Sequence, residues 1–543
     1  MSSTIAILGG GVGGLSAAHE LIERGFAVTV YERAEVFGGK ARSIYVPNTG
    51  TDGRKDLPGE HGFRFFPAFY KHLPDTLMRI PFPGNVSVFN NLVHTSRIEV
   101  AQSGKLLPML LTGRLPQTIG DWLVAFKELF GGIGVPDNEV LFFADKLLTL
   151  LTSCPERRVA QYELIPWWTF VDAANHSAAY QTLLAIGLTR SLVAVRAQVA
   201  STRTAGYILL QLIFGILTWN GFDRLLAGPT SEVWLTPWTQ YLTQKGVQFV
   251  SGAAVKGFKM AGGAISGVTI EQGGAQTDIT ADYYIAALPV EIMSVLVTDE
   301  MKSAAPSIAQ LGSLRTAWMN GIQFFLKQDI PVDNGHTLYA DSPWALTSVS
   351  QKQFWQQANL ANYGDGQVGG ILSADISDWE TPGILYGKPA MQCTAQEIKD
   401  EVWAQIKAHL NVAGQTPIRD EDLAAWFLDP DIQFPNPSAA TNLEPLLINT
   451  ANSLQYRPQA ATEIPNLLLA SDYVQTYTDL ACMEAANEAA RRAVNAILAK
   501  TGSAAAPAGV WPMKEPDVFQ PLIEYDRVRF KLGLPHASVP SPK

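Results

Sequence analysis

The sequence predicts a protein of the α/β class that combines a Rossmann-type nucleotide-binding unit with a largely helical second region. The chain opens with "TIAILGGGVGGLSAAHELIERGFAVTVYER", which has the pattern of a strand, a glycine-rich turn, a helix and a second strand. Its 543 residues are too many for one compact core. Residues 139–153 and 183–217 carry apolar side chains at helical spacing on more than one face.

The glycine-rich turn predicts a dinucleotide site. Gly9, Gly11 and Gly14 fill the G-x-G-x-x-G pattern between a strand over residues 5–8 and the following helix. Without Cβ atoms, the turn lets its backbone amides, including those of Val12 and Gly13, approach a pyrophosphate at the helix N-terminus. The strand–turn–helix setting makes the pattern far more specific than its glycines alone.

The residues after the second strand, 27–31, indicate which dinucleotide is bound. Glu32 follows the turn by about 20 residues, where a carboxylate accepts hydrogen bonds from a ribose diol and disfavours the 2′-phosphate of NADP. NAD and FAD remain. A second loop, "ERAEVFGGKARS", has no role in a simple NAD domain but could continue along the pyrophosphate and ribityl chain of FAD. Its predicted cofactor-binding residues are Arg33, Gly38, Gly39, Lys40 and Arg42.

Composition excludes several other classes of protein. The net charge of −10 and the lack of a basic run argue against nucleic-acid binding. The three cysteines, Cys154, Cys393 and Cys482, are too far apart for a disulfide framework or a C-x-x-C motif, which fits a reducing compartment. Histidines and carboxylates show no metal-ligand spacing, so we predict no metal site.

The sequence also predicts a cytoplasmic protein that at most touches a membrane surface. Residues 1–4 lead directly into the first strand, without the basic and cleavage regions of a signal peptide. The longest apolar stretch, 205–219, spans about 15 residues and contains Gln211, whereas a transmembrane helix needs about 20.

With these motifs in place, the sequence resembles the flavin amine oxidase and phytoene desaturase superfamily. The similarity is greatest to plant-type phytoene and ζ-carotene desaturases and to hydroxysqualene dehydroxylase-like enzymes, which share a segment similar to "HGFRFFPAFY". The resemblance implies non-covalent FAD and a discontinuous Rossmann-type FAD-binding domain with an inserted mixed, largely helical substrate domain. It places the FAD domain at residues 1–75, 228–300 and 455–500, the substrate domain at 76–227 and 301–454, and a C-terminal extension at 501–543.

Two further segments carry the resemblance. In residues 228–260, Val255 holds the position whose backbone contacts the adenine. In "LLLASDYVQTYTDLACMEAANEAARR", Asp472 is expected to bind a ribityl hydroxyl, and a helix from about residue 479 or 480 to 499 would direct its N-terminal turn, with Met483 and Ala486, at the flavin. Ser471 and Ala485 replace the glycines usual in the family; because both are small, we still expect FAD to bind.

The stretch "GEHGFRFFPAFYKHLP", residues 59–74, mixes aromatic and charged side chains. The resemblance places it against the isoalloxazine, with Gly62, Phe63 and Arg64 at the cofactor. Arg64 stands where plant-type desaturases carry His, and as a permanent cation it suits charge stabilisation better than proton abstraction. His61 is the second candidate catalytic residue, although a structural hydrogen bond is the better explanation for it.

The leading hypothesis is an FAD-dependent oxidoreductase that transfers a hydride from an apolar, isoprenoid or carotenoid-like substrate to flavin N5, in desaturation or a related C–H or C–O step. Oxygen or a quinone is the expected electron acceptor. A redox-neutral double-bond isomerase, a flavin amine oxidase and a non-catalytic flavin- or lipid-binding protein are the alternatives. An amine oxidase should hold a water on a lysine, and no lysine can be assigned to that role from the sequence.

Overall fold

The centre of the fold is a parallel sheet of short apolar strands. The structure, a computed structural model, describes residues 3–109, 116–187, 190, 195–217, 223–436 and 439–537. The sheet brings together strands from three separate parts of the chain, in the order Gln248–Val250, Ala27–Tyr31, Thr4–Leu8, Tyr283–Ala286 and Leu467–Leu469. Thr4–Leu8, Tyr283–Ala286 and Leu467–Leu469 are buried on both faces over most of their length, which explains why they read as continuous apolar runs.

Two helices that lie far apart in the sequence pack together beside this sheet. Val12–Ile22 contacts Met483–Thr501, and Asn487 Nδ2 donates to Ser16 Oγ at 2.8 Å across the contact. A three-stranded antiparallel sheet follows the edge strand and comprises Ala253–Ala261, Ala264–Gln272 and Ala275–Ile279. The predicted α/β fold class, with a discontinuous Rossmann-type domain, is confirmed.

A seven-stranded mixed sheet forms the base of the second region. Its strands come from both chain segments that interrupt the Rossmann-type domain. Their order is Leu423–Leu428, Asn320–Leu326, Gly370–Ile376, Thr347–Ser350, Gly335–Tyr339, Arg97–Gln102 and Lys105–Met109. The helix Ala395–Leu410 packs on one face through Ile398, Val402 and Ile406. The other face is turned toward residues 59–65, where His61 O accepts from Gly321 N at 2.7 Å.

A helical cluster completes the second region. Trp122, Phe143, Leu147, Trp167 and Leu210 form its apolar core. Its helices are Ile119–Phe130, Asp137–Thr152, Pro155–Ala160, Trp167–Phe170 and Thr202–Leu217, with a wider helical turn at Tyr180–Ile186. Among the described residues, no helix combines the length and the apolar character needed to cross a bilayer.

The chain after residue 501 is anchored to this cluster. The helix Gln520–Lys531 contributes Ile523 to the apolar core, and Phe519 lies in the core just before it. Arg157 Nε lies 3.0 Å from Asp526 Oδ1 in a buried ion pair. The sequence predicts a linker and a tail that either wraps or frays, and the described part, to residue 537, wraps.

The remaining elements are short. The strand set Phe65–Pro67, Asp223–Leu226 and Leu92–His94 joins the two regions. Two-stranded pairs form between Ser43–Val46 and Leu57–Glu60, between Arg315–Ala317 and Leu446–Ile448, and between Ile432–Asn436 and Ala439–Asn442. The other helices are His72–Met78, Thr236–Gln244, Val290–Leu296 and Asp299–Ala304.

Three predicted elements differ from the structure. Residues 195–201 are not helical, because Trp167 and Trp168 donate their backbone N–H groups to the Ala200 and Ala197 carbonyls; residues 188, 189 and 191–194 lie outside the described part. The strand expected over 316–326 breaks at 318–319, where the chain passes from a two-stranded pair into the large sheet. The C-terminal helix begins at Met483 rather than at 479 or 480.

The late start of that helix has a local cause. Asp479 has a left-handed φ of 49°. Its carboxylate accepts from Thr204 Oγ1 at 2.7 Å and from Arg457 at 2.6 Å. These long-range hydrogen bonds hold Asp479 in a turn, so the helix cannot begin before it.

Candidate active site

A cavity of about 520 Å³ runs along the carboxyl ends of the parallel sheet. Loops that follow four of its strands contribute Gly9, residues 11–13, 32–33, 287–289 and 470–472. In open parallel sheets, ligands bind at this edge because the strand ends and the helix N-termini converge there. All the predicted site residues except Gly14 and Arg42 line the cavity.

The first glycine turn is shaped by close backbone contacts. Gly9 has a φ of +104°, in the region that favours glycine. A Cβ on Gly13 would lie 2.1 Å from the Ala470 carbonyl oxygen, and one on Gly14 would lie 1.9 Å from that of Gly9. Gly14 therefore supports the turn by packing against it. Gly11 differs, because a Cβ there would meet no atom closer than the Gly39 Cα at 3.7 Å.

The second glycine loop docks directly on the first. Gly38 N donates to Gly10 O at 2.8 Å, and Gly38 and Gly39 have φ values of +124° and +55°. A Cβ on Gly38 would lie 2.3 Å from Leu235 Cδ1. The two loops, predicted from separate motifs, thus form one continuous wall.

Glu32 lies at one end of this wall. Its Oε2 accepts from Gly10 N at 2.7 Å and its Oε1 accepts from Ala34 N at 2.8 Å. A carboxylate oxygen can accept more than one hydrogen bond, so both oxygens keep capacity for hydroxyl groups. Val255, on the neighbouring antiparallel sheet, lines the same end of the cavity.

The basic residues of the second loop are engaged with acidic groups from elsewhere. Lys40 Nζ lies 3.0 Å from Glu291 Oε1, and Arg33 lies 2.8 Å from Glu444 Oε1. Arg42, which does not line the cavity, pairs with Asp431 and Glu444, each at 3.3 Å. The arginine pairs tie the loop to Asp431 and Glu444, and the lysine pair ties it to Glu291.

Two helix N-termini border the cavity, and neither has a side-chain cap. Val12–Ile22 begins after Gly11 and has no acidic residue in its first turn. Met483–Thr501 begins after Cys482, and Met483 and Ala486 line the cavity. The acidic residue in that helix's first turn, Glu484, instead accepts from the backbone N–H groups of residues 71–73 at 2.6–2.8 Å. Uncapped helix N-termini are favourable positions for anionic groups.

Residues 60–65 form the opposite part of the wall. His61, Gly62, Phe63, Arg64 and Phe65 line the cavity, whereas Glu60 lies behind it. Glu60 accepts from Ser43 Oγ at 2.8 Å and from Thr230 N at 2.9 Å, and burial raises the pKa of its carboxyl. The charged residues of this stretch are therefore embedded among the aromatic ones.

Arg64 is folded back onto the backbone. Its guanidinium donates to Gly62 O at 2.7 Å, to Phe63 O at 3.3 Å and to Lys40 O. Arg64 thus links the second glycine loop to the 60–65 segment while still lining the cavity. Burial lowers the pKa of Arg64, and the negative charges of Glu60, Asp375 and Asp429 oppose that effect.

His61 is held by a carboxylate from the second region. Its Nδ1 lies 2.6 Å from Asp429 Oδ2 and 3.9 Å from Asp431 Oδ2. Burial disfavours the ionised Asp429 carboxylate. His61 and Asn320 outweigh that effect and hold the pKa of Asp429 below its usual value. The sequence predicts no such cluster, yet these three residues bring their ligand atoms within 4.8 Å of one another. Arg42, 3.3 Å from Asp431, already supplies a cation beside this cluster.

Sequence reasoning missed several cavity residues. Asp375, on the strand Gly370–Ile376, is 7% exposed, and burial raises the pKa of its carboxyl to about 7. The other missed residues include Met319, Leu443, Glu444, Leu446 and Cys482. One signal for Asp375 was available: a carboxylate within the otherwise apolar strand "GILSADI".

The lining fits FAD. One continuous cavity contains a glycine floor, a carboxylate placed for hydroxyl groups, two uncapped helix N-termini and the half-buried Asp472. The carboxylate suits the ribose, and the glycine floor and one helix N-terminus suit the pyrophosphate. The other helix N-terminus suits the flavin ring, which gains negative charge on reduction. Cys482 also lines the cavity, but burial raises the pKa of its thiol to about 12, which disfavours the thiolate.

Comparison with known proteins decides the family. Residues 212–498, more than half of the chain, match the family described as flavin containing amine oxidoreductase. The chain belongs to that family. Residues 7–79 match an NAD(P)-binding Rossmann-like domain. As a family member it is an FAD-dependent oxidoreductase, and the predicted enzyme class and cofactor are confirmed.

Relatives resemble this flavin oxidoreductase over nearly their whole length. Zeta-carotene desaturase of Synechocystis is 23% identical over 525 residues, which covers 91% of this chain and 97% of the relative. The 15-cis-phytoene desaturase of Synechococcus elongatus is 24% identical over 531 residues, covering 91% and 96%. Cyclohexylamine oxidase from Brevibacterium oxydans, a solved structure, shares the fold with a TM-score of 0.60 at 13% identity, covering 92% of this chain and 100% of that one.

Proposed function

We propose that the protein desaturates an apolar, isoprenoid-type substrate, or performs a related C–H or C–O oxidation, with FAD as the oxidant. The observation that carries this proposal is the group of apolar side chains that the cavity lining has outside the two glycine loops. Phe65, Met319, Leu443 and Leu446 lie in one cavity with the buried carboxyl of Asp375. Apolar side chains interspersed with a few polar groups suit a hydrocarbon better than a charged substrate.

FAD would be held by groups already described. The glycine loops and the N-terminus of Val12–Ile22 would bind the pyrophosphate, and Glu32 and Asp472 would bind hydroxyl groups. When bound, FAD supplies the capacity to accept a hydride. The protein must then hold the substrate in place, exclude water and accept the proton that remains.

The two relatives that align with most of the chain support this substrate class. They are named for the desaturation of ζ-carotene and of 15-cis-phytoene. An amine substrate is less well supported. Among the described cavity residues the lysines are Lys40, bound to Glu291, and Lys256, which lies 3.2 Å from Glu271. Neither comes from the second region of the fold, so among the described cavity residues that region contributes no lysine that could hold a water.

The proposal includes two features that the substrate's chemistry requires. A hydrocarbon of this kind partitions into bilayers, so we propose peripheral contact with a membrane surface. The reduced cofactor must also be reoxidised, and we propose oxygen or a quinone as the acceptor.

Anaerobic reduction of the bound flavin tests the proposal. The FAD-loaded protein is mixed with a panel of isoprenoid hydrocarbons and, separately, with a panel of amines, while the visible flavin absorbance is followed. We expect bleaching with at least one isoprenoid and none with amines. Turnover of an isoprenoid without bleaching would indicate an isomerase, and bleaching by amines alone would contradict the proposal.

A further inference from the structure

We propose that Asp375 is a catalytic residue that accepts the proton released when the substrate is oxidised in this cavity. The inference rests on the proposed function and extends it, because hydride acceptance by FAD leaves one proton without an assigned acceptor. The argument depends on where Asp375 lies, on what its carboxyl does not contact, and on how its neighbours are otherwise engaged.

Asp375 is placed at the cavity by the register of the large sheet. It pairs with Gly321 on one side and with Thr347 on the other. Both Gly321 and Gly62 pack closely here: a Cβ on Gly321 would lie 2.6 Å from Gly62 Cα, and one on Gly62 would lie 2.6 Å from Asp375 Oδ1. Two glycines therefore make room for the carboxyl to reach the cavity wall.

The carboxyl is buried without full compensation. Its Oδ1 has no hydrogen-bond partner, and among the described residues no Lys, Arg or His nitrogen lies within 4.0 Å of either oxygen. Burying an ionised carboxylate without a partner costs several kcal/mol, because no ion pair offsets the loss of hydration. A stability role does not explain this arrangement, whereas a reactive group at a cavity surface does.

The groups around Asp375 set its ionisation near neutrality. Burial raises its pKa to about 7, while Arg64, His61, the Phe63 backbone N–H and His336 limit the rise. At that pKa the carboxyl is substantially ionised at neutral pH and can also hold a proton. A proton acceptor works best when its pKa is near the working pH.

The other polar residues of the cavity are poorly suited to this role. Arg64 is a cation whose guanidinium donates to three carbonyls. His61 Nδ1 is within 2.6 Å of Asp429, and Lys40 is paired with Glu291. Glu60 has a raised pKa too, but it lies behind the lining, bonded to Ser43 and Thr230. Asp375 combines a place in the cavity lining, a pKa near neutrality and a carboxyl without an ion-pair partner among the described residues.

The step balances as follows. One C–H bond of the substrate breaks and its hydrogen leaves with both electrons as a hydride, for which FAD is the oxidant. A C–H bond on the adjacent carbon breaks in the opposite sense: its electron pair becomes the new C=C π bond, and its proton binds the Asp375 carboxylate. The carboxylate becomes a neutral carboxylic acid, which later releases the proton to solvent.

The test compares the wild type with Asp375→Asn, which keeps the shape and removes the base. Asp329→Asn is the matched control, because burial also raises the pKa of Asp329 and its Oδ1 also lacks a partner, yet it does not line the cavity. In single-turnover reduction by an isoprenoid, we expect the wild-type rate to rise about tenfold from about pH 6 to pH 8. Asp375→Asn should be at least about 100-fold slower and independent of pH, and Asp329→Asn should behave as the wild type.

A second readout needs no substrate. Infrared difference spectra of the resting FAD-loaded protein should show a neutral carboxylic acid ionising near pH 7, a signal absent from Asp375→Asn and present in Asp329→Asn. Bound FAD and the thermal unfolding temperature establish that each variant is folded. Unchanged rates and pH dependence in Asp375→Asn, or ionisation of Asp375 well below pH 6, would overturn this role while the proposed function stands. Failure of every isoprenoid to reduce the wild type would instead overturn the proposed function, and the role with it.

Discussion

The two walls of the cavity are built in different ways. The wall at the parallel sheet is mostly backbone: Gly9, Gly13, Gly38 and Gly39 bring main-chain atoms close together, and two helices begin there. The wall from the second region consists of side chains, with Asp375, Met319 and Leu446 arriving from separate strands and loops. Main-chain atoms are the same whatever the side chains, so the backbone wall is suited to a cofactor that many proteins share. The side-chain wall can differ with the substrate. The backbone wall therefore indicates which cofactor is bound, and the side-chain wall indicates which reaction is catalysed.

The largest effect should come from crowding the backbone wall. In Gly14→Ala the new Cβ would lie 1.9 Å from the Gly9 carbonyl oxygen, which forces the first turn apart. We expect loss of bound FAD and a free energy of unfolding lower by at least about 3 kcal/mol, at the upper end for overpacking. Flavin absorbance after purification and chemical denaturation measure both. Gly312→Ala, where a Cβ meets nothing within 4 Å, should change neither; a stable, FAD-loaded Gly14→Ala would show that the turn is not tightly built.

A substitution at Asp375 in the side-chain wall should instead raise the free energy of unfolding. Asp375 has a pKa of about 7 in the folded protein against roughly 3.9 when unfolded. Between about pH 4 and 7 the unfolded chain has already lost this proton and the folded protein retains it, so the contribution of Asp375 to stability falls as pH rises and levels off above 7. Asp375→Asn should therefore raise the free energy of unfolding by up to about 4 kcal/mol at pH 8 and by little near pH 4.

Chemical denaturation of Asp375→Asn and the wild type at both pH values measures that difference. The same substitution is expected to impair catalysis, so stability and activity should change in opposite directions. A variant less stable than the wild type at pH 8 would mean that the carboxylate is compensated in the fold by partners that the geometry does not reveal.

A smaller and more selective effect is expected at Gly11. A Cβ there would be in ordinary contact at 3.7 Å, so the apoprotein should accept Gly11→Ala without loss of stability. The added methyl would stand where the predicted pyrophosphate lies, and we expect FAD affinity to fall about 100-fold, or about 2.7 kcal/mol. Titration of the apoprotein with FAD, alongside its unfolding temperature, checks this. Equal losses of stability in Gly11→Ala and Gly14→Ala would remove the distinction between the two glycines.

The same contrast explains what the sequence could predict. The first turn, Glu32 and the second loop are encoded within about 40 consecutive residues, and their spacing alone places them at one sheet edge. Asp375 meets Gly62 only through the register of a sheet assembled from distant strands. Arg64 was predicted beside the cofactor, but its bonds to Gly62, Phe63 and Lys40 carbonyls depend on how two loops dock.

The C-terminal flavin segment shows the same limit on a smaller scale. The resemblance of this segment predicts a helix from about residue 479 or 480 to 499, and the structure has a helix over Met483–Thr501. The predicted starting residue was wrong, because Asp479 is held in a turn by Arg457 and Thr204. Long-range side-chain hydrogen bonds determine where the helix begins, and the sequence of the segment alone does not predict them.

The most direct test of the central claim is analysis of the product of one anaerobic turnover. FAD-loaded protein and an isoprenoid hydrocarbon are mixed without an external acceptor, and the product is identified by mass spectrometry while flavin bleaching is followed. For the desaturation that we propose, one substrate molecule should lose two hydrogens for each flavin bleached. A product of unchanged mass, or bleaching that only amines produce, would contradict it.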